Sequence, residues 1–387
     1  MPVDEGLIVA VTARLAACAP SDVRLDAVSY DWGSPATAGL WHATAGAPGR
    51  AASRAFVKLL RHPRLWPGLQ SVPPGPTRDF FLDTFPWRFE LDIVLSGIAE
   101  VLPPGMRIPR LLHHEALDED HVAVWSELVS ERRGPWSLAE LGRAAQLLGM
   151  LAARRRDGAG VNASLPKVCH SLPACAALRY LVEGRVLMGA GADIADDELW
   201  RHPAMAAALE ATNDFALRED LRHALALVGP TLDRLEALPQ TFAHGDASIQ
   251  NILVCHGEDD FVVIDWGFGS LLAVGFDIGQ LLVGPMHAGL VDASQIHAID
   301  EVIFPAYLSG LADEGWAVDP EQVRFGYLGS LFCRSAFTAL PTAELRSRAA
   351  EDPGLEHLAR QRLSLTRAML DLTLPAVRTE LEASGVV

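Results

Sequence analysis

The sequence predicts an α+β chain of two lobes: a small antiparallel β-sheet lobe with one key helix (1–128), then a large, mostly helical lobe (129–387). Three observations lead there. Residues 54–60, RAFVKLL, form an apolar alternating strand. Beyond about residue 135 apolar residues recur at helical spacing through most of the remaining chain. A chain of 387 residues is also long enough for two lobes with large cores.

The elements follow in order. The opening MPVDEGLIVAVTARLAACAPSD carries acids early and reads as an amphipathic helix, unlike a signal peptide. Residues 23–30 read as a strand, 31–45 (DWGSPATAGLWHATA) as a turn and second strand, and 46–53 as a hairpin connection into the 54–60 strand. Gly33 and Ser34 in that turn are small enough for backbone N–H groups to approach a phosphate, although no G-x-G-x-x-G is present. Residues 61–84, rich in Pro and aromatics, read as an unusually long strand-to-helix connection that either reaches over the acceptor or packs on the sheet lobe; loops that long are usually functional or mobile. FPWRFELDIVLSGIAEVLP (85–103) reads as one amphipathic helix closed by Pro. In WSLAELGRAAQLLGMLAARRRD (136–157), Ser137 and Glu140 are spaced as a capping box. Later helical segments span 178–188, 203–227, 295–311, 320–339 and 355–384.

Composition narrows the function classes. A net charge of −17 disfavours nucleic acid, whose phosphates would be repelled, and favours a cationic small molecule. Acidic clusters lie at Asp193, Asp196, Asp197 and Glu198 and at Asp118, Glu119 and Asp120, and charge runs of this kind are usually solvated faces or helix starts. No run approaches the roughly 20 apolar residues of a membrane span. Five scattered cysteines, an odd number without metal-ligand spacing, suit a reducing cytoplasmic location. Oligomeric state leaves no mark in the sequence.

Residues 241–267, TFAHGDASIQNILVCHGEDDFVVIDWG, carry the most chemistry. His244, Asp246 and Asn251 form an HGDxxxxN loop. Ile252, Leu253 and Val254 then make a short strand, GEDD a polar turn, and FVVI a second strand ending at Asp265. This is the layout of a phosphoryl-transfer site, where one Asp faces the attacking hydroxyl while an Asn and a second Asp hold Mg²⁺ on the nucleotide phosphates. The chain has 32 Lys plus Arg but only two Lys, Lys58 and Lys167. Placing one of them in the 54–60 strand supplies the compact ammonium such a site needs for the α and β phosphates of ATP. Neither Lys follows a G-x-x-x-x-G, so a Walker A loop is excluded.

HGDASIQN followed by VVIDWG resembles the catalytic core of the aminoglycoside phosphotransferase and choline kinase family, the small-molecule branch of the protein-kinase-like fold. The resemblance, with weaker motifs, runs from about Val23 to about Leu308. It implies Asp246 as the catalytic base, Asn251 and Asp265 as Mg²⁺ ligands, and Lys58 with Glu90 on ATP, WRFE standing against the family's W-x-x-E. It further implies that Asp277 holds the catalytic loop in shape. His244 falls in the same supporting category. WSELVSERRG (125–134) resembles the hinge, which makes Glu127 and Val129 candidates beside the adenine.

Only 11 residues separate Asp265 from Asp277, too few for the activation segment of a protein kinase. The expected partner is therefore a small-molecule hydroxyl acceptor. It could be an aminoglycoside or another antibiotic. A core metabolite such as choline, a sugar or homoserine is the alternative, and a nucleotide-binding pseudokinase is a third reading.

Overall fold

The computed structural model describes residues 5–29, 34–46, 52–132, 134–156, 175–257, 260–349 and 352–385. They fall into two compact units. One contains residues 5–132 and 253–267; the other contains 134–156, 175–252 and 268–385.

The first unit is built on a five-stranded antiparallel sheet. Its order is β1 (Val23–Ala27), β2 (Thr37–Ala45), β3 (Ser53–Arg61), β6 (His121–Glu127) and β5 (Leu111–Ala116). Period-two alternation divides the side chains between its faces. Trp41, Ala43, Ala55, Val57, Leu59, Ala123 and Trp125 bury one face against Ile8 and Val11 of helix α1 (Glu5–Ala16). Trp125 Nε1 also donates to Thr12 Oγ1 on that helix, at 2.9 Å. On the other face Leu60 and Val122 pack against Leu91 of helix α3 (Phe89–Leu95). That contact fixes where Glu90 sits.

The connections depart from the sequence reading in two places. Residues 61–84 are two short 3₁₀ turns (Pro63–Leu65 and Pro67–Ser71) and helix α2 (Pro76–Thr84), each with a proline in its first turn, rather than a long irregular loop. The expected single helix over 85–103 is broken. Gly97 adopts φ 85°, a left-handed conformation that ends α3 before a second short helix, α4 (Ile98–Val101). A second sheet, β4 (Met106–Arg107), β9 (Phe261–Val263) and β8 (Ile252–Val254), carries the hairpin predicted around GEDD.

The second unit is mostly helical. Helix α5 (Leu138–Arg154) opens with the predicted capping box: Glu140 N–H donates to Ser137 Oγ, and Ser137 N–H to Glu140 Oε2. It crosses α11 (Ile296–Asp313) closely enough that a Cβ on Gly310 would lie 1.9 Å from the Gln146 carbonyl oxygen. Between them in sequence come α6 (Ala176–Val182), a π-helical stretch (Glu183–Ala190), α7 (Pro203–Thr212), α8 (Leu217–Leu225), α9 (Val228–Glu236) and α10 (Phe276–His287). The segment 203–227, predicted as one helix, is split where Asn213 turns left-handed at φ 52°. The chain ends in α12 (Pro320–Ser335) and the long α13 (Pro353–Ala383). Strands β7 (Gln240–Ala243) and β10 (Ser270–Ala273) pair antiparallel and bracket the HGD motif in sequence. No helix among the described residues is long and apolar enough to cross a membrane.

Candidate active site

Lys58 lies on β3 between Val57 and Leu59, so alternation turns it to the face on which α3 packs. Its ammonium bonds Glu90 Oε1 and lies 3.9 Å from Asp265 Oδ1. The structure thus unites three of the predicted residues in the first unit. Burial pushes the Glu90 carboxyl well above the ordinary carboxylate range, the Lys58 charge pulls it back, and the Asp265 carboxylate raises it further. Two carboxylates competing for one ammonium form a place where added positive charge would be favourable. Asp265 leaves β9 at φ 56°, a left-handed conformation uncommon for a residue with a side chain. Gly267 completes the cradle: a Cβ there would lie 3.4 Å from Asp265 Oδ1 and 3.6 Å from Glu90 Oε1.

The HGD loop is held in the second unit. Asp277, in the first turn of α10, accepts the backbone N–H of His244 at Oδ2 and of Gly245 at Oδ1, each at 2.9 Å. It makes no cap to its own helix, which starts after Gly275. Burial raises the Asp277 pKa, opposed by His244 and the two N–H donors. His244 is fully buried, and its Nδ1 accepts the Asp246 N–H at 3.2 Å, which leaves the ring proton on Nε2. Gly245 is required by conformation and by space: its φ is 82°, and a Cβ would fall 2.1 Å from the Phe268 carbonyl oxygen.

Both Asp246 carboxylate oxygens have donors. Asn251 Nδ2 donates to Oδ2 and to the Asp246 carbonyl oxygen, at 2.9 Å each. Arg334, from α12, donates to Oδ1 at 2.7 Å and to the Gly245 carbonyl oxygen. A carboxylate has about four lone-pair sites, so a substrate hydroxyl can still be accepted. Burial lowers the Arg334 pKa, while Asp246 pulls it up. The Asn251 amide nitrogen is occupied by Asp246. An amide carbonyl oxygen such as that of Asn251 and a carboxylate such as that of Asp265 are, each by itself, hard donors of the kind Mg²⁺ takes. Among the described residues no three His, Cys, Asp or Glu side chains gather into a metal cage.

The remaining candidates are dispersed. Gly33 lies outside the described residues. Ser34 Oγ accepts from Thr37 Oγ1 at 3.3 Å. The Glu127 carboxylate is paired in two-pronged fashion with Arg107, both contacts at 3.1 Å, and its N–H donates to the Arg110 carbonyl oxygen. Val129 packs against Leu253, Cys255 and Val262. Arg334 was not a sequence candidate. Its signal was available, since it is the sole charge between Arg324 and Glu344 and a lone charge in an apolar run requires a partner.

A family model described as the phosphotransferase enzyme family matches residues 94–311, more than half of the chain. The match starts beyond Lys58 and Glu90 and stops short of Arg334. Among solved structures, an aminoglycoside phosphotransferase from Alicyclobacillus acidocaldarius aligns over 94% of this chain and 93% of its own, with TM-score 0.51 and 13% identity. An ethanolamine kinase from Plasmodium vivax aligns over 92% and 85%, with TM-score 0.48 and 10% identity. An aminoglycoside phosphotransferase from Streptomyces rimosus, in complex with ADP and streptomycin, aligns over 84% and 98%, with TM-score 0.42 and 16% identity. At these identities the likeness concerns the fold. No curated protein matches the sequence. With a sheet unit, a helical unit and a family match spanning the HGD loop, the chain belongs to the phosphotransferase enzyme family: it is a small-molecule phosphotransferase of protein-kinase-like fold.

Proposed function

We propose that the protein transfers the γ-phosphoryl group of ATP to a hydroxyl of a small molecule, with Asp246 as the base. One observation carries the reading. The Asp246 carboxylate is fixed at both oxygens, by Asn251 and Arg334, on a loop that Asp277 pins through two backbone N–H groups. Phosphoryl transfer asks the protein chiefly for positioning and charge, and this arrangement supplies a positioned carboxylate.

In the step, the acceptor O–H gives its proton to the Asp246 carboxylate as the acceptor oxygen bonds the γ-phosphorus. The bond from that phosphorus to the bridging oxygen breaks, and ADP leaves with the electron pair. Lys58, held by Glu90, meets the α and β phosphates. Asn251 and Asp265 would hold Mg²⁺, which supplies positive charge to the phosphate oxygens. The hinge would face adenine through backbone groups beyond Glu127, whose side chain and N–H already have partners. Gly33 and Ser34 would cover the phosphates. Among the described residues Cys18, Cys175, Cys255 and Cys333 form no disulfide, in keeping with a reducing cytoplasmic setting.

The test is Mg²⁺-dependent ADP release from ATP across a panel of hydroxyl acceptors, with Asp246→Asn as control. Positioned base catalysis is worth about 10²–10⁴-fold, so acceptor-stimulated release should fall by that factor while Mg-ATP still binds. Wild-type turnover by Asp246→Asn would remove Asp246 from its role. ATP binding without stimulation by any acceptor would favour a pseudokinase.

A further inference from the structure

Phe268 brings an apolar surface to the base. It ends the 3₁₀ turn Trp266–Phe268 and leads into β10. Its backbone closes on the HGD loop, where a Cβ on Gly245 would meet the Phe268 carbonyl oxygen at 2.1 Å and the Phe268 Cβ at 3.0 Å. Its ring centre lies 5.5 Å from the guanidinium carbon of Arg334, whose Nη2 donates to Asp246 Oδ1 at 2.7 Å. Two contacts therefore join the ring to the base. A second ring, Phe276, has its centre 5.6 Å from the same guanidinium carbon. Phe276 is 3% exposed, whereas Phe268 is 47% exposed. Single apolar side chains on a surface are ordinary, so exposure alone decides nothing. What sets Phe268 apart is its place, one guanidinium away from the Asp246 carboxylate.

An aromatic ring offers a substrate a flat apolar face with partial negative charge. Either a cation or the C–H face of a ring alcohol could use it. The surroundings disfavour the cation. Arg334 already lies over the ring, and a second positive charge there would be repelled by the first. A quaternary ammonium takes a cage of several rings, and the second ring at this place is buried. A ring alcohol suits the geometry. Its C–H bonds lie on its faces and its hydroxyls project at its rim, so the ring can lie on Phe268 while one hydroxyl turns to Asp246. We propose that Phe268 is a specificity-determining residue, a platform on which a sugar or cyclitol lays an uncharged C–H face, and that it selects ring alcohols over open-chain ones. This inference rests on the reading of Asp246 as base.

The test compares myo-inositol, adenosine and kanamycin with choline, ethanolamine, homoserine and glycerol in Mg²⁺-dependent ADP release. Binding of the same compounds is followed by saturation-transfer NMR with Mg²⁺ and a non-hydrolysable ATP analogue. The wild type is expected to bind and turn over at least one ring alcohol in preference to every open-chain acceptor. Phe268→Ala should raise KM for that ring alcohol about three- to tenfold, the loss of one stacking face, and leave KM for ATP unchanged. Phe268→Tyr keeps the face and should restore KM. A ring that only shelters Arg334 would instead lower kcat for every acceptor alike with KM intact, and that result overturns the proposal. So does turnover confined to open-chain acceptors, or no binding of any of the three ring alcohols. If ADP release in that case still disappears in Asp246→Asn, only the platform has failed; release persisting in Asp246→Asn refutes the reading beneath it.

Discussion

At the scale of single residues, Asp277 ties the HGD loop down through two backbone N–H groups. Each oxygen takes one buried N–H, and a buried donor left without a partner costs about 1–3 kcal/mol. Asp277→Ala should therefore destabilise the protein by about 2–5 kcal/mol in urea unfolding, and Asp277→Asn, which keeps one acceptor, by about half as much. His287 offers a pH test. Burial and the neighbouring Arg362 and Arg334 guanidiniums push its pKa down to about 4, so the folded protein holds the ring neutral. The unfolded chain regains an ordinary value near 6.5 and binds the proton more readily. Stability contributed by this residue is thus present above about pH 6.5 and lost as pH falls toward 4. Protonation would also turn Nδ1 from acceptor to donor against Arg362. The drop in melting temperature between pH 7 and pH 5 should shrink in His287→Asn. Asp246, Asn251 and Asp265 could be singled out as candidates in the sequence because their spacing is local and the chemistry expected of them demands those residue types. Arg334 could not be joined to Asp246 the same way. A lone charge announces that a partner is needed, but not that the partner lies 88 residues away.

At the scale of elements, the crossing of α5 and α11 depends on having no side chain at the contact. A Cβ on Gly310 would reach within 1.9 Å of Gln146 O, and one on Gly149 within 2.2 Å of Tyr307 O, backbone atoms that cannot rotate away. Gly310→Ala should cost about 1–3 kcal/mol by overpacking, despite alanine's better helix propensity, and Gly229→Ala, facing open space, should not. Parallel urea titrations of the two variants separate packing from propensity. The same contrast explains which elements could be read from the sequence. Helix starts could be read where a cap announces them, as at Ser137. Breaks at Gly97 and Asn213 could not, because the apolar periodicity runs on across both and only the three-dimensional turn demands a left-handed residue.

At the scale of the whole molecule, alternation and helical spacing sufficed for the fold class, since both are local. The composition of the two units is not local: residues 253–267, with Asp265, group with the sheet unit, whereas Asp246 and Asn251 group with the helical one. Sequence distance conceals this, because only 13 residues separate Asn251 from Asp265 along the chain. The two groups can be told apart by linkage. A ligand bound only to the folded protein stabilises it by about 2.7 kcal/mol at a free concentration about 100 times its dissociation constant, a rise of several degrees in melting temperature. If Lys58 and Asp265 serve the nucleotide and Asp246 serves the acceptor, Mg-ATP analogue should raise the melting temperature of the wild type and of Asp246→Asn alike. The rise should largely vanish in Lys58→Met and in Asp265→Ala, each compared with its own ligand-free melt so that intrinsic destabilisation cancels. A full thermal shift in Asp265→Ala would remove that carboxylate from the Mg²⁺ role, and a lost shift in Asp246→Asn would make Asp246 a nucleotide ligand instead of a base.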